Sequence, residues 1–394
     1  MKIVYAGMTP PDVINKAIFL AGPTPRLKTV QSWRPEALAV LELLEYDGVV
    51  FVPENPPENE EVFNDWSNNK KSYSSNVQWE EDCLAMADCV LFWIPRNLDN
   101  MPGFTTNDEW GRWKYSGKTV LGAPDTAAKV RYQKHYAEKL EIPFANTLAG
   151  TVKNAANMVS KGADRMKGER NVPLMVWNTG SFQSWYRAHT EVGNHLDDAE
   201  VLWSFRVGPN KSFVFAYTMW VDMYVAAEDR NKSNEFIFAR TDISCVVLYR
   251  KDENYLDTDV VLIREFRSPV RNSEGFVYEV PGGSSFKPGK DPSEVASNEV
   301  FEETGIRILP GRFRVFKSRQ VAATLSTHHA YMYAAELTEE EIAHARATAE
   351  SGKVFGEEGS SEQTYVHVVK MGEIMECKPP LDWAMLGMVM RAVA

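Results

Sequence analysis

At 394 residues the chain is long enough for two or three domains with ample cores. Hydrophobic residues make up 44% and charged residues 25%, as in ordinary globular proteins, and the net charge of −11 comes without a basic tract. This argues against nucleic acid or an anionic membrane as the main partner, but leaves small anionic substrates open, because a metal can reverse the sign locally.

The opening MKIVYAGMTPPD lacks the pattern of a secretory signal, and no apolar run reaches the roughly 18 residues that a membrane span needs. Cys83, Cys89, Cys245 and Cys377 form no CxxC pair or zinc-ligand spacing. Reduced thiols and a cytoplasmic location are therefore expected. His328 and His329 read as a polar pair at a strand end rather than a metal site.

The first part alternates short apolar runs with amphipathic stretches. Strands are expected at 18–23, 49–53, 89–95 and 119–124, each stopping at Gly or Pro. Helical patterns lie between them at 33–46, 77–87, 106–116 and 126–140, and a closing amphipathic helix is expected from Leu148. Such alternation predicts an α/β fold with a doubly wound parallel sheet, whose ligands bind beyond the carboxyl ends of the strands. Four features fall near those ends: Gly22 to Arg26, the Gln78-Trp79-Glu80-Glu81 helix start, Asp88, and Gly103 to Gly111.

Ala21-Gly22-Pro23, Glu80 eight residues before Asp88, and Thr105 to Gly111 followed by Gly117-Lys118-Thr119-Val120 together resemble the nucleoside 2-deoxyribosyltransferase-like family over about residues 16 to 165. The resemblance implies that Glu109 is the nucleophile, capturing C1′ of a sugar as a glycosyl ester. Glu80 would be its acidic partner, where the family often has aspartate. Gly22 and Asp88 would bind substrate. By itself, Glu109 also suits the start of a surface helix. Trp79, Trp110 and Trp113 are candidates for stacking a base, with core packing expected for at least two of them. The resemblance further implies a homo-oligomer.

After Gly168 to Pro173 strands dominate, and a boundary is expected near 172, giving domains 1–171 and 172–394. Strands are expected at 213–217, 219–225, 235–240, 243–249 and 260–265, while 182–202 is ambiguous. Pro281 to Ile306 then runs from a glycine-rich loop into a helix with Asp291 as N-cap, Pro292 in its first turn and Gly305 as its left-handed stop. Glu299, Glu302 and Glu303, spaced i, i+3 and i+4, are expected to converge on one face, and oxygen ligands favour Mg²⁺, or Mn²⁺ in its place.

This stretch resembles the Nudix box through Gly283, Glu299, Val300, Glu302, Glu303, Gly305 and Ile306. The loop after Gly283 is one residue longer than in the family, and Lys290 and Asn298 replace its usual first glutamate and arginine. Arg264 to Arg267 and Glu279 to Gly282 resemble the ADP-ribose pyrophosphatase branch of that family. The resemblance implies an α+β Nudix-type sandwich, with Arg267 and Glu279 at the substrate and a catalytic glutamate on a late loop. Glu362 is preferred for that role over Glu358 and Glu357. Val321 to Thr327 stands where the branch often has Ser-Pro-Gly.

Together the halves imply a bifunctional enzyme acting on small-molecule nucleotides. One domain would cleave or transfer at an N-glycosidic bond, NAD being one substrate. The other would use Mg²⁺ to hydrolyse an ADP-ribose-like diphosphate. The altered box leaves a nucleotide-binding sensor or regulator as the alternative.

Overall fold

The computed structural model describes residues 1–27, 29–56, 76–159, 161–284, 289–356 and 361–394. They divide into two compact units, Met1–Phe238 and Ala239–Ala394.

In the first unit, strands β1 (Lys2–Tyr5), β2 (Ala17–Ala21), β3 (Val49–Val52), β4 (Cys89–Trp93), β5 (Thr119–Gly122) and β6 (Phe144–Ala145) form one sheet in the order β1-β3-β2-β4-β5-β6. All its pairings are parallel. Helices α1 (Arg34–Leu43), α2 (Asn76–Met86), α3 (Phe104–Trp113), α4 (Arg131–Lys139) and α5 (Leu148–Val159) connect and cover the strands. Side chains alternate across each strand. Phe19, Phe51 and Phe92 enter a core with Trp79 of α2 and Trp110 of α3, whereas Ile18, Leu20, Val50 and Leu91 enter another with α1 and α5. Burial on both faces is why these strands read as continuous apolar runs. Each fully buried large side chain contributes about 1.5–3 kcal/mol.

The unit is mixed α/β with a parallel sheet consistent with a doubly wound fold. The chain leaves β2 toward β3 on one side and leaves β4 toward β5 on the other. A crevice opens where such neighbouring connections diverge.

The change of texture near 172 is not the border of the unit. Helices α6 (Leu174–Trp177) and α7 (Gly180–Thr190) follow, then long antiparallel strands β7 (His195–Val207) and β8 (Phe213–Val225), with β9 (Arg230–Arg240) beside β8. Asn171 donates to Asp198 Oδ1 at 2.6 Å, and Arg206 Nη1 to the Gly117 carbonyl at 3.2 Å. The ambiguous stretch 182–202 is thus half helix and half strand, and the two strands expected at 213–225 are one.

In the second unit, β10 (Ile243–Arg250), β11 (Asp259–Phe266), β12 (Phe276–Glu279), β13 (Gly282–Gly283), β14 (Arg314–Val315), β15 (Arg319–Gln320), β16 (His329–Glu336), β17 (Val354–Phe355) and β18 (Thr364–Lys370) form a mixed sheet. Its spine runs β14-β16-β10-β11-β18-β17, with β10 and β16 parallel. Helices α8 (Pro292–Thr304) and α9 (Glu339–Ser351) share one core with the sheet. Helix α11 (Trp383–Val393), which follows α10 (Met371–Met375), closes a second core. No helix among the described residues is long and apolar enough to cross a membrane.

Candidate functional site

At the carboxyl end of β2 the chain turns sharply at Gly22. A Cβ there would stand 2.2 Å from the Trp93 carbonyl oxygen, and φ is +151°, so only glycine fits without strain. The loop it starts, with Pro53 beyond β3 and Pro102 to Thr106 at the start of α3, encloses a cavity of about 250 Å³. Glu80 of α2 and Glu109 of α3 both line it, together with Gly22, Thr24, Arg26 and Arg34. Helix α2 buries Trp79 and Cys83 against the sheet, and α3 buries Thr106 and Trp110, so each helix turns its glutamate toward the cavity. Asn107 braces α3 by accepting from Arg96 at 2.6 Å and from Gln133 at 2.9 Å.

Burial and then the neighbouring Glu80 push the Glu109 carboxyl up to about 8, against the pull of Arg34. Burial also raises Glu80, and Arg34 opposes it. With its carboxyl raised to about 8, Glu109 retains a proton near neutral pH, beside a second raised carboxyl. Such a site offers both an oxygen nucleophile and a proton.

Arg34, which sequence reasoning passed over, forms the wall beside them. Its signal was an arginine on the i, i+3, i+7 stripe with Ala37 and Leu41 that α1 buries. Asp88, expected at the substrate, lies instead at the amino end of β4, away from the cavity. It pairs with Arg165 at 2.6 and 2.8 Å and accepts from the backbone N–H groups of Ala17 and Leu174 at 2.9 and 2.8 Å. With its oxygens engaged in the interior, it ties the start of the sheet to the segment after it. Trp79 and Trp110 are core residues: Trp79 donates to the Met8 carbonyl at 2.8 Å, and Trp110 packs edge-on against Phe92 with ring centroids 5.2 Å apart. Trp113 lies under Lys118, 4.4 Å from its ammonium.

In the second unit Asp291 caps α8 by accepting from Ser293 N–H at 2.8 Å, and Gly305 ends the helix at φ +75°. Glu303 is buried and accepts from Gly282 N–H at 2.8 Å. Burial pushes its carboxyl well above the usual range; the Gly282 N–H opposes, and Glu299, Glu362 and Glu265 add to the rise. Glu299 presses on Gly283, where a Cβ would stand 2.5 Å from its carboxylate. Arg267 pairs with Glu265 at 2.8 Å and with Glu279 at 3.4 Å.

Glu302, by contrast, is exposed. The trio expected to converge is therefore not gathered: Glu303 is buried while Glu302 faces solvent. Successive helical residues stand about 100° apart, so burying Glu303 turns Glu302 outward. Among the described residues no three His, Cys, Asp or Glu side chains are gathered to hold a metal ion. Glu357 and Glu358 lie outside the described residues.

The first unit thus holds a mixed α/β domain, its parallel sheet consistent with a doubly wound fold, with two carboxyls lining a cavity beyond the carboxyl ends of β2 and β3. Residues 15–127, which include Glu80 and Glu109, match the family model described as nucleoside 2-deoxyribosyltransferase like. The match supports a domain of that kind over this stretch. No curated protein matched the chain.

Proposed function

We propose that the first unit cleaves or transfers at the N-glycosidic bond of a nucleoside or nucleotide. The observation that carries this is the meeting of Glu80 and Glu109, from separate helices, in one cavity beyond the carboxyl ends of β2 and β3. The Glu109 carboxylate attacks C1′ as the bond to the base nitrogen breaks, giving a glycosyl ester and a free base. Glu80 supplies the proton that a neutral leaving base requires. Water or a second base then attacks C1′, giving up a proton to the Glu80 carboxylate, and releases Glu109. NAD fits the same attack on C1′, but its nicotinamide is cationic at the glycosidic nitrogen and leaves as a neutral base without a proton from Glu80. Partner subunits that complete the cleft, making a homo-oligomer, belong to the same reading. Free-base release from 2′-deoxyadenosine and from NAD tests it. Glu109→Ala is expected to lower release at least a thousandfold, and undiminished release in a folded variant rejects the assignment.

For the second unit we propose a site for an ADP-ribose-like diphosphate, with Glu279 and Arg267 at the substrate. Glu299 and Glu303 are the oxygen donors that would hold Mg²⁺ or Mn²⁺ there. The outward position of Glu302 favours the second reading, a nucleotide-binding sensor with little turnover. Titrating ADP-ribose with and without Mg²⁺, while following AMP, separates the two: bound but persistent ADP-ribose identifies the sensor.

A further inference from the structure

The guanidinium of Arg34 is 1% exposed, yet every hydrogen bond it makes reaches the framework of the cleft. Nε donates to the Leu20 carbonyl at 3.0 Å, and Nη2 to the Gly22 carbonyl at 2.8 Å. Nη1 donates to Thr24 Oγ1 at 3.0 Å and to Glu54 Oε1 at 2.5 Å. Glu54, just beyond β3, is held in turn by the Ser32 hydroxyl at 2.9 Å. One planar fork therefore joins the carboxyl ends of two parallel strands, a geometry that an ammonium does not reproduce. The indole of Trp33 lies 4.7 Å from the same group.

We propose that Arg34 is the positioning residue of this cleft: its fork fixes the loop that begins at Gly22, and its charge acts on both Glu80 and Glu109. The inference rests on the reading of those two carboxyls given above. Besides Arg34, the charged groups near them among the described residues are Glu54 beyond β3, Asp108 on α3, and Arg26 at the mouth. Arg26 is exposed, lies over the Phe104 ring, and has no carboxylate partner among the described residues. Among the described residues Arg34 is thus the buried cation beside the pair, and Glu54 partly neutralises it. Removing either residue alters the same field in opposite directions. A purely structural arginine would not give that pattern.

The test titrates the Glu109 carboxyl by carbon-13 NMR in the full chain, with the resonance assigned through Glu109→Gln. This measurement needs no turnover. Arg34→Gln removes the cation and is expected to raise the Glu109 midpoint by about one pH unit. Glu54→Gln frees the cation and is expected to lower it. Arg34→Lys keeps the charge but loses the fork, and should hold the midpoint while base release from 2′-deoxyadenosine and NAD falls at least tenfold. If Arg34→Gln does not fold, Glu54→Gln decides alone. Midpoints that stay put, or that move the same way in both variants, overturn the proposal. If base release also survives Glu109→Ala, the reading of the site fails with it. If release is lost in Glu109→Ala while the midpoints stay put, the role of Arg34 alone is rejected.

Discussion

Glu109 carries two separable consequences of its surroundings. As nucleophile it must be ionised, so kcat/KM for nicotinamide release from NAD, which needs no proton from Glu80, is expected to rise with pH through about 8, the value set by burial and by Glu80. Glu80→Gln removes the like charge and leaves the burial, so the rise should shift toward acid without reaching the ordinary carboxylate range. A pH profile of the variant checks this. Stability runs the other way: the folded chain retains a proton that the unfolded chain has already released, so this residue's contribution falls as pH climbs from the ordinary carboxylate range toward 8. Glu109→Gln should flatten that slope in urea titrations. Asp88 is the opposite kind of acid. It is buried and paired with Arg165, so Asp88→Ala leaves an uncompensated cation and should cost about 3–5 kcal/mol in denaturant unfolding.

Elements decide how such residues are presented. The turn after β2 depends on Gly22. Gly22→Ala meets the Trp93 carbonyl in a backbone conformation that side chains disfavour, and is expected to cost about 1–3 kcal/mol while widening or closing the cleft. Equilibrium unfolding and base release read the two effects independently. Helix α8 teaches a different lesson. Its cap, its first-turn proline and its glycine stop all follow from local rules and are present as expected. Which of its glutamates face inward is set by the roll of the helix on the sheet. That roll is fixed by burying Ala296, Val300 and Glu303, and it leaves Glu302 in solvent.

Across the whole molecule, the two compact units predict two separable activities. Glu303→Gln should weaken any ADP-ribose turnover or binding and leave base release within about twofold. Glu109→Ala should do the converse. Assaying both reactions on both variants settles it, and loss of both activities from either folded variant would contradict two sites. The four inner strands of the parallel sheet were legible because burial on both faces writes unbroken apolar runs closed by Gly or Pro, whereas the edge strands β1 and β6, less buried, were not. Glu80 and Glu109 were singled out by the family resemblance rather than by the order of elements, and the fold places both along one cavity. Three things were not written locally. The ion pair of Asp88 joins residues 77 positions apart, and nothing in the spacing of either residue announces the other. Arg34 reads as an ordinary first-turn arginine until the loop after β2 folds back over it. The border at Phe238 depends on how β7 and β8 dock on what precedes them, which a change of texture near 172 does not reveal. Local periodicity and stop signals fix which segments become strands and helices, because those depend on neighbours a few residues away. Which buried groups meet, and which face of a helix sees water, depends on contacts between distant segments, and only the folded chain decides them.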